Sequence, residues 1–198
     1  PMRDKDLRTI ALTMLTNQLL SPAFFHEMRT EKQYGYLVGV GFIPINRYPG
    51  MAFYIQSPDT HAITLTQAMD DFIARSLDYI TRLPSEHWQH LQLGLASQLQ
   101  EKDTSLRIKS QRFWAAICND DVEFNHKESL VKAIQSITPE QIKNFIREFL
   151  STTSHPDRVL LLSNTVSKTA DDSQNLKSDK SNIINNIKDF SKNCQRKF

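Results

Sequence analysis

The chain has 198 residues, 39% of them hydrophobic, with 24 Lys and Arg set against 22 Asp and Glu. That length suits one domain, or one domain with a tail. A net charge of +2 gives no electrostatic case for nucleic acid or an anionic membrane surface, and no apolar run approaches the roughly 18 residues of a membrane span.

Two cysteines are too few for a disulfide framework, and their spacing matches no metal motif. Cys118 falls in an apolar helical stretch and reads as a buried thiol, whereas Cys194, in a polar segment, reads as exposed. No leader pattern opens the sequence.

The first element is a helix over about Asp4 to Leu20, with Leu7, Ile10, Ala11, Met14, Leu15 and Leu19 on one face. Ser21 and Pro22 are expected to stop it and to start a short second helix, as cap and first helical residue. Phe24, Phe25 and Met28 would form the apolar side of that helix.

The period then changes to two. Tyr36–Ile43 and Met51–Ser57 alternate as strands, separated by a turn segment with Pro44, Asn46, Pro49 and Gly50. Gly39 and Gly41 share one strand face, where something must pack closely or the strand must bulge.

Helical spacing returns after Pro58. Leu65, Met69, Phe72, Ile73 and Ile80 form a stripe up to Arg82, with Thr60 as the expected cap. Pro84 and Ser85 restart the helix, and Trp88, Leu91, Leu95 and Leu99 are its buried side. Leu106, Phe113, Trp114 and Ile117 continue the pattern after a charged break. Leu130 and Ile134 mark a shorter helix. Thr138-Pro139-Glu140-Gln141 combines a capping Thr, a Pro at the first position and a Gln at the third. Ile142, Phe145, Ile146, Phe149 and Leu150 follow as an apolar face, and Arg158–Ser163 reads as a final strand.

From Asn164 onward Ser, Asn, Asp and Lys dominate. Composition argues for a solvated tail. Ile183, Ile184, Ile187 and Phe190 argue for a short docked helix within it. The expected division is therefore a domain over 1–163 and a tail over 164–198. The order of elements points to an α+β fold, in which the hairpin and the C-terminal strand form a small antiparallel sheet with helices on one face.

The histidines are His26, His61, His87, His90, His126 and His155. Only His87 and His90 share a helical face, and Gln89 between them cannot act as a base. They read as two surface histidines, with no metal site in the chain. No nucleophile elbow or phosphate-cradling loop is present. Lys102, Arg107, Lys109 and Arg112 read as a solvated helix face.

Ser21–Tyr36 reads S-P-A-F-F-H-E-M-R-T-E-K-Q-Y-G-Y. Taken alone, Arg29 is a cation placed favourably at a helix C-terminus, and Tyr36 is an aromatic at the start of a strand that fills the core. The segment also resembles the R-T-x-x-Q-x-G-Y pattern in the C-terminal half of the pitrilysin and insulin-degrading enzyme family of inverzincin zinc metallopeptidases. It puts Arg29, Gln33, Gly35 and Tyr36 on the family's positions. The similarity extends from about Leu7 to Ser163 and includes the Pro139–Lys143 helix start.

The family's H-x-x-E-H zinc motif does not occur in the chain. The resemblance thus implies the non-catalytic C-terminal domain of such a peptidase, lacking the domain's first strand and so leaving a sheet edge exposed or covered by a partner. Zinc would sit in the N-terminal half of the intact enzyme, and this chain alone would be inactive. Arg29 and Tyr36 would contact the substrate carbonyl and the developing oxyanion, and Gly35 would permit the turn that aims Tyr36. The expected partners are the N-terminal catalytic half, or an active subunit, and peptide substrates. The alternative is an inactive binding or scaffold module serving an active subunit. Members of the family occur in periplasm and in cytosol, and the sequence does not choose between them.

Overall fold

A computed structural model describes residues 6–44, 48–118, 124–150 and 158–162. The elements are α1 (Leu7–Phe25), a π-helical turn (His26–Glu31), β1 (Leu37–Phe42), β2 (Met51–Gln56), α2 (Ala62–Ala74), α3 (Ser76–Thr81), α4 (Ser85–Gln100), α5 (Leu106–Cys118), α6 (His126–Ser136) and α7 (Pro139–Phe145), which ends in a second π-helical turn, Ile146–Leu150. The fold is α+β and mostly helical, with one two-stranded antiparallel sheet.

α1 is the centre of the molecule. It packs against β1 and against α3, α4, α6 and α7. Ile10, Ala11, Leu15, Leu19, Leu20 and Phe24 are buried, and so are Thr13 and Thr16. The two hydroxyls are satisfied within the helix. Thr13 Oγ1 donates to the Thr9 carbonyl at 2.8 Å and Thr16 Oγ1 to the Leu12 carbonyl at 2.7 Å.

The helix does not stop at Ser21. It runs through Pro22 to Phe25. Proline removes one i→i−4 hydrogen bond, but the burial of Phe24 and Met28 beyond it keeps the chain helical. Propensity yields to packing here.

The hairpin register is Leu37↔Gln56, Val38↔Ile55, Gly39↔Tyr54, Val40↔Phe53, Gly41↔Ala52 and Phe42↔Met51. Val38 and Val40 are buried, and Phe42, Met51, Phe53 and Ile55 pack beside the same core. The opposite face carries Leu37 and Tyr54, both largely exposed. An edge-to-face aromatic cluster joins α1, β2 and α2. The Phe24 ring lies 5.3 Å from Phe53 and 5.0 Å from Phe72.

α2 and α3 were expected as one helix. The break falls at Arg75, whose N–H bonds to the carbonyls of Asp71 and Phe72. The sequence carries no Gly or Pro there. The corner coincides with a tertiary ion pair described below. α4 buries Trp88, Leu95 and Ala96, and Gln92 Nε2 donates to the Ile134 and Ile137 carbonyls at the end of α6. α7 begins with the full capping box. Thr138 Oγ1 accepts from Gln141 N–H at 3.4 Å, and Gln141 Oε1 accepts from Thr138 N–H at 3.1 Å.

Further expectations fail among the described residues. α5 buries none of its side chains: Leu106, Trp114 and Ile117 are exposed, and Cys118 is an exposed thiol instead of a buried one. Residues 158–162 form no strand. The apolar run there has no alternation to choose a face, and a strand forms only where a ladder partner is available. Arg158 instead pairs with Asp70 on α2. With two strands in the sheet, each has a neighbour on one side only among the described residues. Ser163, the tail over 164–198 with its suggested helix, and Cys194 lie outside the described residues.

Candidate functional site

The site is built where α1 loosens into the π-helical turn. Glu27 O accepts the N–H of Lys32 at 2.9 Å, five residues on, and Met28 O accepts that of Tyr34 at 3.0 Å. Wide turns of this kind often mark functional positions. Gln33 then adopts φ 52°, the left-handed region, and turns the chain toward β1. That backbone role is one the sequence pattern did not reveal for Gln33.

Gly35 is explained by space and not by a positive φ. A Cβ at this position would lie 2.0 Å from the Gln56 carbonyl oxygen. Only glycine lets the approach to β1 pass so close to the end of β2. At Gly39 the expected close packing is present: the Tyr54 ring lies across the strand, where a Cβ would meet its hydroxyl at 2.5 Å.

This backbone brings Arg29 and Tyr36 together. The Arg29 guanidinium carbon lies 4.9 Å from the Phe25 ring centroid and 5.5 Å from that of Tyr36. Such contacts contribute about 0.5–1 kcal/mol each at exposed sites. Arg29 has no carboxylate partner among the described residues. Tyr36 is 89% exposed, so it does not fill the core, and its hydroxyl is open to an acceptor from outside.

Phe25 was expected only as part of an apolar side, and its spacing of four from Arg29 was the available signal. Tyr54 was not singled out, although it stands opposite a glycine. Leu37 and Tyr54 extend the exposed apolar surface along the outer face of the hairpin.

Behind this surface Glu27 is buried. Its Oε1 accepts from Arg75 Nη2 at 2.8 Å and from Lys32 Nζ at 2.9 Å. Burial pushes the Glu27 carboxyl up, and the two cationic donors outweigh that and bring it below its ordinary value. The Arg75 guanidinium is raised, chiefly by its hydrogen bond to Glu27. Tyr79 is also raised, first by burial and then by the Glu27 charge. His26 and Glu31 form an exposed pair at 3.4 Å.

No group of three or more His, Cys, Asp or Glu able to hold a metal ion occurs among the described residues. His87 and His90 are exposed on α4. These residues do not fit a zinc ion. No described helix is long and apolar enough to cross a membrane.

Residues 15–114, which include the whole Arg29–Tyr36 segment, match the family described as PQQ synthase PqqF-like, C-terminal lobe domain 4. The chain belongs to the pitrilysin family, as a C-terminal domain. It is similar to a nardilysin-like protein of Arabidopsis thaliana, 27% identical over 154 residues, which covers 75% of this chain and 15% of the relative. It is 30% identical over 115 residues to the coenzyme PQQ synthesis protein F of Pseudomonas aeruginosa, covering 58% of this chain and 15% of that protein. The crystal structure of pitrilysin superposes with a TM-score of 0.69 at 21% identity, over 75% of this chain and 16% of that one. This pitrilysin-family chain thus spans about 15% of the length of the curated relatives it matches.

Proposed function

We propose that the chain serves as the supporting C-terminal domain of a pitrilysin-like zinc metalloendopeptidase. In this reading it binds peptide, helps to close the chamber around it and supplies auxiliary transition-state contacts, and it carries no zinc of its own. Its partner is the N-terminal catalytic half, or an active subunit, which holds the metal.

One observation carries the reading. Within the segment that matches the family, Arg29 and an 89% exposed Tyr36 stand side by side, with no carboxylate paired to the cation among the described residues. The phenol donates one directed hydrogen bond, and the guanidinium adds a fixed positive charge. Both suit a peptide carbonyl that gains negative charge. Loss of a donor to such an oxygen typically costs about 2.7–4 kcal/mol of transition-state stabilisation. The exposed Phe25, Leu37 and Tyr54 side chains offer apolar surface to the flanking peptide.

The test uses the purified 198-residue chain. Metal analysis after dialysis should find no stoichiometric zinc, and a fluorogenic peptide should remain uncut. One zinc per chain, with chelator-sensitive cleavage, contradicts the proposal. A second reading, an inactive module that binds an active subunit, is favoured by the exposed apolar residues of α5. Co-purification with a peptidase whose turnover is indifferent to Arg29→Ala would select it.

A further inference from the structure

The peptide-contact reading uses Arg29 and Tyr36 and leaves Glu27 without a role, yet Glu27 is the charged residue on which the local geometry converges. It is 8% exposed. A carboxylate buried that far is unfavourable unless it is paired and hydrogen-bonded. Here it is paired twice, and each pairing ties down a different part of the site.

The first tie closes the π-helical turn on itself. The main-chain carbonyl of Glu27 accepts the Lys32 N–H at 2.9 Å, and its side chain accepts from Lys32 Nζ at 2.9 Å. Both ends of the turn are therefore held by one residue. Arg29 lies between them.

The second tie joins the turn to the helical layer. Arg75 sits at the corner between α2 and α3. Its Nε donates to the Asp71 carbonyl at 3.1 Å, and its Nη2 reaches Glu27 Oε1 at 2.8 Å. The planar guanidinium is thus fixed on one side by the last turn of α2 and points its other side at Glu27. Tyr79, partly buried on α3, stands near enough for the Glu27 charge to act on its hydroxyl. Asp78 on α3 pairs with Arg82 instead, at 3.9 Å.

We infer that Glu27 is a positioning residue for Arg29 and Tyr36. Through Arg75 it fixes the π-helical turn against the α2–α3 corner, and so holds the Arg29 guanidinium beside the Phe25 and Tyr36 rings. The corner at Arg75, which no Gly or Pro encodes, acquires a reason: it delivers the cation. The functional meaning of this clamp rests on the proposed peptide contacts, whereas its mechanical content does not.

The experiment is amide hydrogen exchange on the full chain, with Glu27→Gln, Arg75→Ala and Arg75→Lys. Arg82→Ala, at an exposed neighbouring arginine, is the control. The Arg75 side chain is half-exposed, so its removal leaves a folded chain even if Glu27→Gln does not. Exchange over residues 26–36 should become about tenfold faster in Arg75→Ala. Exchange in α1 and β2 should be unchanged, Arg75→Lys should recover part of the loss, and Arg82→Ala should show none. Unchanged exchange over 26–36, or equal acceleration throughout the chain, overturns the inference.

In the peptidase that contains the chain, Arg75→Ala should lower kcat more than it changes KM, and Arg75→Lys should restore part of it. Normal turnover of Tyr36→Phe together with fast exchange in Arg75→Ala would remove the peptide-contact reading and keep the clamp. Impaired turnover of Tyr36→Phe with unchanged exchange in Arg75→Ala would remove the clamp alone.

Discussion

α1 and α5 are both helices with an apolar stripe, and they are held in different ways. α1 is surrounded. Apolar side chains from the hairpin and the helices around it cover it, and even its threonines are buried. α5 buries nothing. Its attachment is mostly polar: Arg112 reaches Asp103 through Nε and Nη2, the latter at 2.8 Å, Lys127 approaches the same carboxylate at 3.8 Å, and the Phe113 and Phe124 ring centroids lie 5.4 Å apart. Leu106 is 84% and Trp114 68% exposed. An apolar stripe tells which side of a helix wants cover. It does not tell whether the same chain supplies that cover.

The largest expected effect is on the α1 side. Phe24→Ala, which empties the contact with Phe53 and Phe72, should destabilise the chain by about 3–5 kcal/mol in a denaturant titration. A loss below about 1 kcal/mol would mean that α1 is not the centre of the core.

Acid should act next, at Glu27. Its folded-state carboxyl lies below the ordinary value, so its contribution to stability is complete above the ordinary carboxylate range. It is lost as pH falls through the lowered value. The charged groups facing it are Lys32 and Arg75, with Tyr79 beyond. Exchange over residues 26–36 should therefore quicken under acid before that of α1 does. The reverse order would place the acid-sensitive contact elsewhere.

A smaller, local effect is expected at α5. Asp103→Asn should speed amide exchange over Leu106–Cys118 and leave Leu7–Phe25 unchanged, and high salt should do the same to the wild type. Equal effects on the two helices would erase the contrast between them. The smallest effect is Trp114→Ala, which should change stability by no more than about 0.5 kcal/mol because the ring is already in solvent. A large loss would show that α5 is covered.

Much of this architecture was legible where a local rule and the packing agree. The hairpin follows from the period-two pattern: Val38 and Val40 lie on the core face, while Gly39 between them is buried under the Tyr54 ring. Thr138 and Gln141 form the box that their spacing announces. The rest was decided by contacts that spacing does not encode. Pro22 reads as a stop, but the burial of Phe24 and Met28 carries the helix through it. Arg75 reads as an ordinary helical residue until Glu27, 48 positions away, is seen to bond with it. Residues 158–162 read as a strand because apolar runs say nothing of their partners. Arg29 and Tyr36 were named from a family pattern. Their mutual approach, with Phe25 also against the guanidinium, needed the π-helical turn and the Gly35 passage, which no periodicity shows.

In the proposed peptidase, the exposed Tyr36 hydroxyl is expected to act on substrate. The most direct measurement is the turnover of Tyr36→Phe in that enzyme, with zinc content determined on the same preparation. A fall of roughly 10–1000-fold in kcat with zinc unchanged is expected. Near-normal turnover, or a loss that tracks a loss of zinc, would contradict it.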